Sequence, residues 1–348
     1  MIKIALSLLA LLAAPAFSPV APAYRPDNDL SQVNGGRPLL DAHNCYPYDG
    51  RFENRIDRAL GTGFPVGIEQ DIAPYTDPKT GEVIAKVTHR SEANESDPTL
   101  RAYFFEKVRP QIEKALKDGD KSKWPLIVLH FDFKNNSAPT LEAVWKLLGE
   151  YQDWITTTDK TANDSDLRKL DWKPLLVLTE DNPVQEQIFY RKVAVGDKLR
   201  LFGSAHLNDK ALQGLNAKQK AHALANAAPD ILLPTPATNY RRWWNNSWWE
   251  VEEGGQQHAG DWTEADNSRL QALVDHAHRM GYMIRFYTLD GFTPAEDQGW
   301  GNYYNFGSLA GVQKRWKAAL ADGVDMIATD QYEALRKFMN GSGADRRP

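Results

Sequence analysis

The stretch PLIVLHFDFKNNSAPTLEAVWKLLGEYQDWI, residues 125–155, contains the two patterns that decide the fold. Residues 125–134 form an apolar run in which polar side chains appear only toward the end and at every second position, which is typical of a buried strand. Residues 140–155 place apolar side chains three and four positions apart, which indicates an amphipathic helix. The stretch therefore predicts one strand–helix unit of an α/β protein.

The same alternation of strand and helix patterns recurs along the rest of the chain. Eight strand-like runs are present, at 38–43, 65–72, 125–134, 174–179, 199–203, 230–234, 282–289 and 324–329. Helix-like segments accompany them, at 54–61, 99–117, 140–155, 267–281, 309–322 and 333–339. Eight such repeats predict a single-domain (β/α)8 barrel, or TIM barrel, with a parallel sheet inside and helices outside.

Two further observations refine this prediction. An open, doubly wound sheet is the alternative, but no Gly-rich phosphate loop follows the first strand, which disfavours it. The run TDPKTGEVIAKVTHR, residues 76–90, has turn residues followed by alternating apolar positions, and it predicts a β-hairpin inserted after the second strand. We expect the longer loops, at 73–97, 156–172 and 235–262, to build the site of a barrel enzyme.

The chain begins with the pattern of a signal peptide. Lys3 precedes an apolar run at 4–14, and small residues then offer cleavage after Ala16 or Ala23. The run is shorter than a membrane span requires, and no later segment reaches about 18 apolar residues. We therefore expect residues 1–23 to be removed, residues 24–348 to form the barrel domain, and the protein to be secreted or periplasmic.

The charge balance bears on what the protein binds. Lys and Arg number 41 against 46 Asp and Glu, and the formal net charge is -5. Without a broad basic surface, a nucleic-acid partner is not expected, and nothing in the composition implies a protein partner. A phosphate-bearing substrate would instead need a local positive feature, such as a metal ion.

Three carboxylates are predicted to meet at one end of the barrel. Glu69 and Asp71 stand two apart in the strand-like run GIEQDIAPY, residues 67–75, so they point to the same side of the sheet. Asp132 ends the next predicted strand, and the carboxyl ends of barrel strands meet at one face. Three oxygen ligands of this kind suit one divalent cation, Mg²⁺ or Ca²⁺. The alternative is that the acids form salt bridges with nearby basic residues, namely Lys134, Arg55 or Arg58.

Two histidines are candidates for proton transfer. His43 ends the first predicted strand, and His89 ends the predicted hairpin, which would return it to the same face. Histidines on either side of a metal ion can move a proton on and off a reacting group near neutral pH.

The order of these residues resembles that of the phosphodiesterase barrels that include glycerophosphodiester phosphodiesterases and phosphatidylinositol-specific phospholipases C. In the first group a histidine ends strand one, a Glu-x-Asp pair ends strand two, a histidine follows in a short insertion, and an acidic-x-Lys motif ends strand three. The matching residues here are His43, Glu69 with Asp71, His89, and Asp132 with Lys134. The run GVDMIATDQYEALRKF, residues 323–338, is also similar to the last strand and helix of that family.

This resemblance implies roles for the matching residues. Glu69, Asp71 and Asp132 would hold the divalent cation. His43 and His89 would act as general base and general acid on a phosphodiester substrate.

The sequence also departs from the glycerophosphodiesterases in ways that bear on the substrate. Lys134 would neutralise phosphate oxygens, but Asn44-Cys45 follows the first histidine where that group has Arg-Gly. Asn44 would therefore contact the substrate as a neutral group. Asp132 stands where the group has Glu, and the run at 131–134 is more similar to the sphingomyelinase D-type phospholipases.

Two further features are candidates for substrate binding. The run TNYRRWWNNSWWEVEEGG, residues 238–255, is predicted to be a loop after strand six, with Trp243 and Trp244 forming a wall or lid for a lipid-like substrate. The alternative is a loop that folds back on the helix layer. Arg285 lies between apolar residues of strand seven, so it is a candidate phosphate ligand that faces the barrel interior, or else a buried partner of Glu180.

These features together predict a metal-dependent phosphoric diester hydrolase. We expect it to cleave a glycerophosphodiester or a phosphatidylinositol-like lipid headgroup by general acid–base catalysis, with a transient contact to a membrane surface. One alternative is a phospholipase D-like activity of the sphingomyelinase D type. Two others are a glycosidase using Glu69 with Glu180 and a non-catalytic barrel that binds lipid or sugar through the tryptophan run.

Overall fold

The computed structural model describes residues 38–48, 51–253, 260–296 and 305–341. The predicted signal peptide, residues 1–23, lies outside these ranges, so its removal stays a prediction. Within the described ranges, none of the helices combines the length and the apolar character that crossing a membrane requires.

The described ranges contain all the strands of a closed eight-stranded barrel. They are β1 (Leu39–Ala42), β2 (Val66–Thr76), β3 (Val83–Val87), β4 (Ile127–Phe133), β5 (Thr158–Asp159), β6 (Leu175–Thr179), β7 (Lys198–Leu199), β8 (Phe202–Ser204), β9 (Arg241–Ser247), β10 (Met283–Tyr287) and β11 (Met326–Thr329). Eight of them form a closed parallel sheet in the order β1, β2, β4, β6, β8, β9, β10, β11, and β11 pairs again with β1. The predicted (β/α)8 barrel is confirmed.

The predicted hairpin is also present. β3 pairs antiparallel with the end of β2, with Val83 opposite Thr76 and Val87 opposite Ile72. Gly81 makes the turn with a φ of 73°, a conformation that glycine adopts without strain. This insertion carries the chain out beyond the barrel rim and back toward it at residue 89.

The helices of the described ranges surround the barrel. They are α1 (Arg55–Gly61), α2 (Glu106–Asp118), α3 (Ala138–Glu150), α4 (Pro183–Glu186), α5 (Asp209–Leu212), α6 (Ala217–Asn226), α7 (Pro229–Leu232), α8 (Glu264–Arg279), α9 (Leu309–Asp322) and α10 (Tyr332–Gly341). Their ends follow local sequence signals. Thr263 and Asp266 form a capping box at the start of α8, and Gly323 ends α9 in the left-handed region with a φ of 81°.

The sixth barrel strand was predicted in the wrong place. Residues 230–234 are not a strand, because Pro229 begins the helical turn α7. The sixth strand is β9, which lies within the run predicted to be a tryptophan-rich loop. Its bulky aromatic residues favour extended structure, and buried side chains lie on both faces of β9, Trp243 on one and Arg242, Trp244 and Asn246 on the other.

One of the three loops expected to build the site lies at the other end of the barrel. Residues 156–172 connect α3 to β6, so they cover the amino-terminal face of the strands. Residues 73–97 follow the barrel part of β2 and do lie at the carboxyl-terminal face. The run 235–262 is divided, since β9 separates its first residues from the segment that follows the strand.

Candidate active site

Three carboxylates meet at the carboxyl ends of β2 and β4. Glu69 pairs with His130 and Asp71 with Asp132 in the parallel register of the two strands. Glu69, Asp71 and Asp132 each offer one oxygen, and these atoms all lie within 4.8 Å of one another. Glu69 and Asp71 are buried, whereas the Asp132 side chain is 36% exposed. Asp132 faces the mouth, which is the open end of the barrel at the carboxyl ends of its strands. The structure thus brings together the three acids that the sequence singles out.

Asp71 is the most constrained member of this cluster. Its Oδ2 contacts His89 Nδ1 at 2.5 Å and Lys134 Nζ at 3.0 Å. Its Oδ1 is buried and has no hydrogen-bond partner among the described residues. Burial, together with the nearby charge of Asp132, raises the pKa of Asp71 to about 6 although the hydrogen bond from His89 opposes this.

Lys134 offsets part of the negative charge of the three carboxylates. Its Nζ lies 2.7 Å from Asp132 Oδ2 and 3.0 Å from Asp71 Oδ2, so it bridges the two acids. Burial lowers the pKa of Lys134, but the two carboxylates outweigh that effect and raise it. The salt bridge considered as an alternative to metal binding is therefore present in the structure. Asp71 Oδ1 takes no part in this salt bridge, which is made through Oδ2.

Glu69 is held from inside the barrel by Arg285. Arg285 is 1% exposed, and its guanidinium donates to Asp41, to Asn245 Oδ1 at 2.9 Å and to Glu69 Oε2 at 2.9 Å. Burial opposes ionisation of Glu69, but His43 and Arg285 hold its pKa well below the usual range. Arg285 does face the interior, where its carboxylate partners are Asp41 and Glu69, and its contact with a substrate phosphate stays a prediction.

His43 stands on the opposite side of Glu69 from β4. Its Nδ1 contacts Asp330 Oδ1 at 2.8 Å, and its Nε2 lies 3.8 Å from Glu69 Oε2. Burial lowers the pKa of His43, but the carboxylates of Glu69 and Asp330 outweigh burial and raise it to about 9. Asp330 is itself bound by Arg55 Nη2 at 3.1 Å, which keeps it ionised.

Asn44 supports the contact between His43 and Asp330 through a hydrogen bond to Asp330. Its backbone has a φ of 52°, a left-handed conformation that asparagine tolerates better than most residues. Its Nδ2 donates to Asp330 Oδ1 at 3.0 Å, and its Oδ1 accepts from Tyr46 at 2.7 Å. Asn44, predicted to bind substrate, is only 9% exposed, and these contacts are with the protein.

His89 lies at the rim, where the hairpin returns. Its side chain is 39% exposed, and its Nδ1 contacts Asp71 Oδ2 and the hydroxyl of Tyr46 at 3.0 Å. The rings of Tyr46 and His89 stack with centroids 5.7 Å apart. The two histidines therefore flank the carboxylates, one buried beside Glu69 and one partly exposed beside Asp71.

Trp243 and Trp244 do not form an exposed wall. Both are fully buried on β9. Trp243 Nε1 donates to the carbonyl of Thr179 at 3.0 Å, and its ring packs edge-on against His130. The expectation of a lid failed because it rested on treating this run as a loop rather than a strand.

Several residues of the site were not predicted. Asp330 follows β11, and Asp290 lies beside it, so that His43, Asp290 and Asp330 form a second buried group with ligand atoms within 4.8 Å. Tyr287 stacks on His43 with ring centroids 5.9 Å apart. Asp330 carried a usable signal, since it ends the eighth strand as His43 ends the first. Tyr287 and Asp290 carried none.

Glu180 contacts further polar residues at the mouth of the barrel. Its Oε1 accepts from Asn245 Nδ2 at 2.9 Å and contacts His130 Nε2 at 2.6 Å. Burial lowers the pKa of His130, but Glu180 raises it above the usual value. Glu180 is 30% exposed and extends the polar lining of the mouth beyond the three carboxylates.

The sequence matches no protein-family model and no curated protein. Solved structures similar to this chain include a glycerophosphoryl diester phosphodiesterase from Parabacteroides distasonis, at 11% identity and a TM-score of 0.40, covering 88% of this chain and 87% of that one. A calcium-dependent phosphoinositol-specific phospholipase C from Pseudomonas sp. is similar at 14% identity and a TM-score of 0.44, covering 90% and 96%. The 7,8-dihydropteroate synthase from Vibrio fischeri is similar at 12% identity and a TM-score of 0.35, covering 90% and 95%.

These likenesses are distant, and they include barrels with unrelated chemistry. Because one fold supports many activities, they do not indicate a function for this chain. The class that the fold and site define is a TIM barrel with an acidic cluster at the carboxyl ends of its strands, able to hold a metal ion.

Proposed function

We propose that the protein is a metal-dependent phosphoric diester hydrolase that cleaves a glycerophosphodiester or a phosphatidylinositol-like headgroup. The observation that carries this proposal is the convergence of three carboxylates between two histidines. The sequence order of these residues, which resembles that of phosphodiesterase barrels, supports the same activity.

The donor set fits one hard divalent cation, Mg²⁺ or Ca²⁺. Glu69, Asp71 and Asp132 provide three oxygens within 4.8 Å of one another, and the buried Asp71 Oδ1 has no partner among the described residues. Such an ion, when bound, polarises a phosphoryl oxygen and balances negative charge.

The protein's own residues account for proton transfer. Asp330 holds His43 at Nδ1, which directs Nε2 toward Glu69 and the mouth. Glu69 and Asp330 raise the pKa of His43 in the ion-free site, and its Nε2 is placed to exchange a proton with a substrate oxygen, as the proposed acid–base pair requires. His89, oriented by Asp71, is the partner that stands nearer to solvent.

Lys134 supplies the positive charge for substrate binding. Its side chain is 20% exposed at the open side of the carboxylates, where a phosphodiester would approach. An ammonium at this point offsets the negative charge that three acids would otherwise present to an anionic substrate. We further infer export of the protein from its signal-peptide pattern, and a transient contact with a membrane surface if the substrate is a lipid.

A panel of phosphodiesters tests this proposal. Glycerophosphodiesters, phosphatidylinositol and a choline phospholipid are incubated with the protein and Mg²⁺ or Ca²⁺, and the products are identified by mass. We expect cleavage of a glycerophosphodiester or an inositol lipid, reduced at least a hundredfold by His43→Ala or His89→Ala. His206→Ala is the matched control, because that histidine is exposed and bound to Asp181, outside the cluster.

The outcomes separate the alternatives. Release of free choline from the choline lipid would favour the phospholipase D-like activity. Near wild-type turnover in His43→Ala and His89→Ala would contradict the proton-transfer pair. Binding without turnover across the panel would favour a non-catalytic barrel.

A further inference from the structure

The amino-terminal face of the barrel, opposite the carboxylate cluster, contains a cleft of about 410 Å³. It lies between the segment that leads into β4 and the segment that leads into β6. Its apolar lining consists of Trp124, Leu126, Leu170, Trp172 and Pro174. A volume of this size falls within the ~300–1,000 Å³ typical of small-molecule sites, which are mostly apolar with a few placed polar groups.

One wall of the cleft is built by an unusually long connection. Residues 151–174 join α3 to β6, whereas helix-to-strand connections in such folds commonly have about 2–6 residues. The connection is well tied: β5 pairs with β7, Thr156 Oγ1 donates to the carbonyl of Lys173 at 3.1 Å, and Thr158 Oγ1 donates to that of Lys169 at 2.8 Å. This wall is therefore fixed, and the chemistry at the opposite face does not account for it.

Two indoles give the cleft flat apolar surfaces. Trp124 and Trp172 are both partly exposed, above a floor in which Leu126 and Leu170 are buried. Trp124 Nε1 donates to the carbonyl of Ala115 at 3.1 Å, which fixes the orientation of its ring. Aromatic rings of this kind favour stacked or edge-on contacts with another ring.

Two lysines of the cleft have no carboxylate partner among the described residues. They are Lys121 and Lys173, which belong to opposite walls. Lys121 Nζ lies 5.3 Å from the centroid of the Trp124 ring, so its ammonium already stands over an indole face. Lys123, in the same turn, is instead paired with Asp120 at 2.8 Å. The cleft thus combines flat apolar surfaces with the positive charges of two lysines, which outnumber the single carboxylate of its lining, Asp171.

We propose that this cleft is a second, non-catalytic binding site for a small aromatic anion. The planar ring of such a ligand would lie against Trp124 and Trp172. Its carboxylate, sulfonate or phosphate group would be met by Lys121 and Lys173, since both lysines line the cleft together with its apolar residues. The inference is independent of the proposed phosphodiesterase activity, because it uses none of the residues at the carboxyl-terminal face.

Calorimetric titration of the full chain with 1-naphthalenesulfonate tests the proposal. We expect one binding event that weakens about tenfold in the double variant Lys121→Gln, Lys173→Gln, the loss expected for two partly exposed ion pairs. Lys123→Gln is the matched control and should change the affinity less than about twofold, because Lys123 already has a carboxylate partner. Lys121 and Lys123 are exposed and Lys173 is half-buried, and unchanged thermal unfolding shows that the fold is kept.

Two ligand controls complete the test. The neutral 1-naphthalenemethanol keeps the aromatic ring but lacks the negative charge, whereas decyl sulfate keeps the negative charge but lacks the ring. We expect both to bind more weakly than the aromatic sulfonate. Undiminished binding to the double lysine variant would overturn the site. Equal binding of the neutral ring or of the alkyl sulfate would overturn its assignment to an aromatic anion.

Discussion

Asp71 on β2 and Asp132 on β4 stand opposite each other in register, and the ammonium of Lys134 bridges their Oδ2 atoms at 3.0 and 2.7 Å. Like charges placed side by side on adjacent strands repel, so this pair destabilises the fold unless positive charge is supplied. Lys134 and His89 supply part of it. The buried Oδ1 of Asp71 remains without a partner among the described residues, and it is the position where further positive charge would be most stabilising.

The first prediction concerns stabilisation by a cation. We expect Ca²⁺ or Mg²⁺ at about 100 times its dissociation constant to raise the unfolding temperature of the wild type by about 4 °C, because it binds only the folded carboxylate cluster. Asp132→Asn should lose most of this increase. Differential scanning calorimetry in EDTA and in excess cation measures both.

Asp166→Asn is the control for that measurement. Asp166 is exposed and paired with Arg168, away from the cluster, so its variant should keep the wild-type response. An equal rise in Asp132→Asn and in the wild type would show that the ion binds elsewhere.

The second prediction concerns the role of Asp330 as a positioning residue. Because its carboxylate raises the pKa of His43, Asp330→Asn should move the limb of the pH–rate profile that reports His43 to lower pH. Turnover should also fall, by less than the ~10²–10⁴-fold expected for His43→Ala. A pH–rate profile with an unmoved limb would assign Asp330 a purely structural role.

The third prediction concerns the close packing between β1 and β2. A Cβ on Gly67 would stand 2.2 Å from Asp41 Oδ1 and 2.8 Å from Leu39 Cδ2, both within the barrel. Gly67→Ala should therefore lower the free energy of unfolding by about 1–3 kcal/mol, measured in urea. Gly61→Ala, where a Cβ meets nothing within 4 Å, should be neutral or slightly stabilising. Equal stability of the two variants would contradict the described packing.

The fourth prediction concerns the pH dependence of stability through Glu250. Burial raises its pKa from the usual 4.5 to about 8, and its Oε2 has no hydrogen-bond partner among the described residues. Since the unfolded chain loses this proton first, the contribution of Glu250 to stability is fully present below about pH 4.5 and is lost as the pH rises through about 8.

Glu250→Gln removes that dependence. Above pH 8 the variant should be more stable than the wild type by about 1–3 kcal/mol, and the difference should shrink toward pH 5. Urea unfolding across this pH range measures it, with the exposed Glu253→Gln as the control. A difference that does not vary with pH would show that Glu250 is ionised in the folded protein at all these values.

The barrel and its acidic cluster were predictable because each depends on a short-range pattern. Strand-like and helix-like runs alternate along the chain, with seven of the eight strand-like runs at strands of the barrel, and a period of two places Glu69 and Asp71 on one side of β2. The rule that barrel strands present their carboxyl ends at one face then brings Asp132 beside them. These inferences need no knowledge of how the barrel closes.

The features that were missed depend on that closure or on the choice between two apolar runs. Asp330 meets His43 only because β11 returns to pair with β1, and Arg285 reaches Asp41 and Glu69 across the interior. The sixth strand was misplaced because residues 230–234 are a typical short apolar run, whereas β9 carries arginines and asparagines. Arg242, for example, is satisfied by a tertiary contact with the carbonyl of Arg168 that the sequence does not reveal.

The proposed catalytic cation is tested by cleavage of the best phosphodiester substrate by the purified protein after exhaustive treatment with EDTA. We expect activity to be lost, to return on addition of Mg²⁺ or Ca²⁺, and not to return in Asp132→Asn. Full activity in EDTA would contradict the proposal that Glu69, Asp71 and Asp132 hold a catalytic cation.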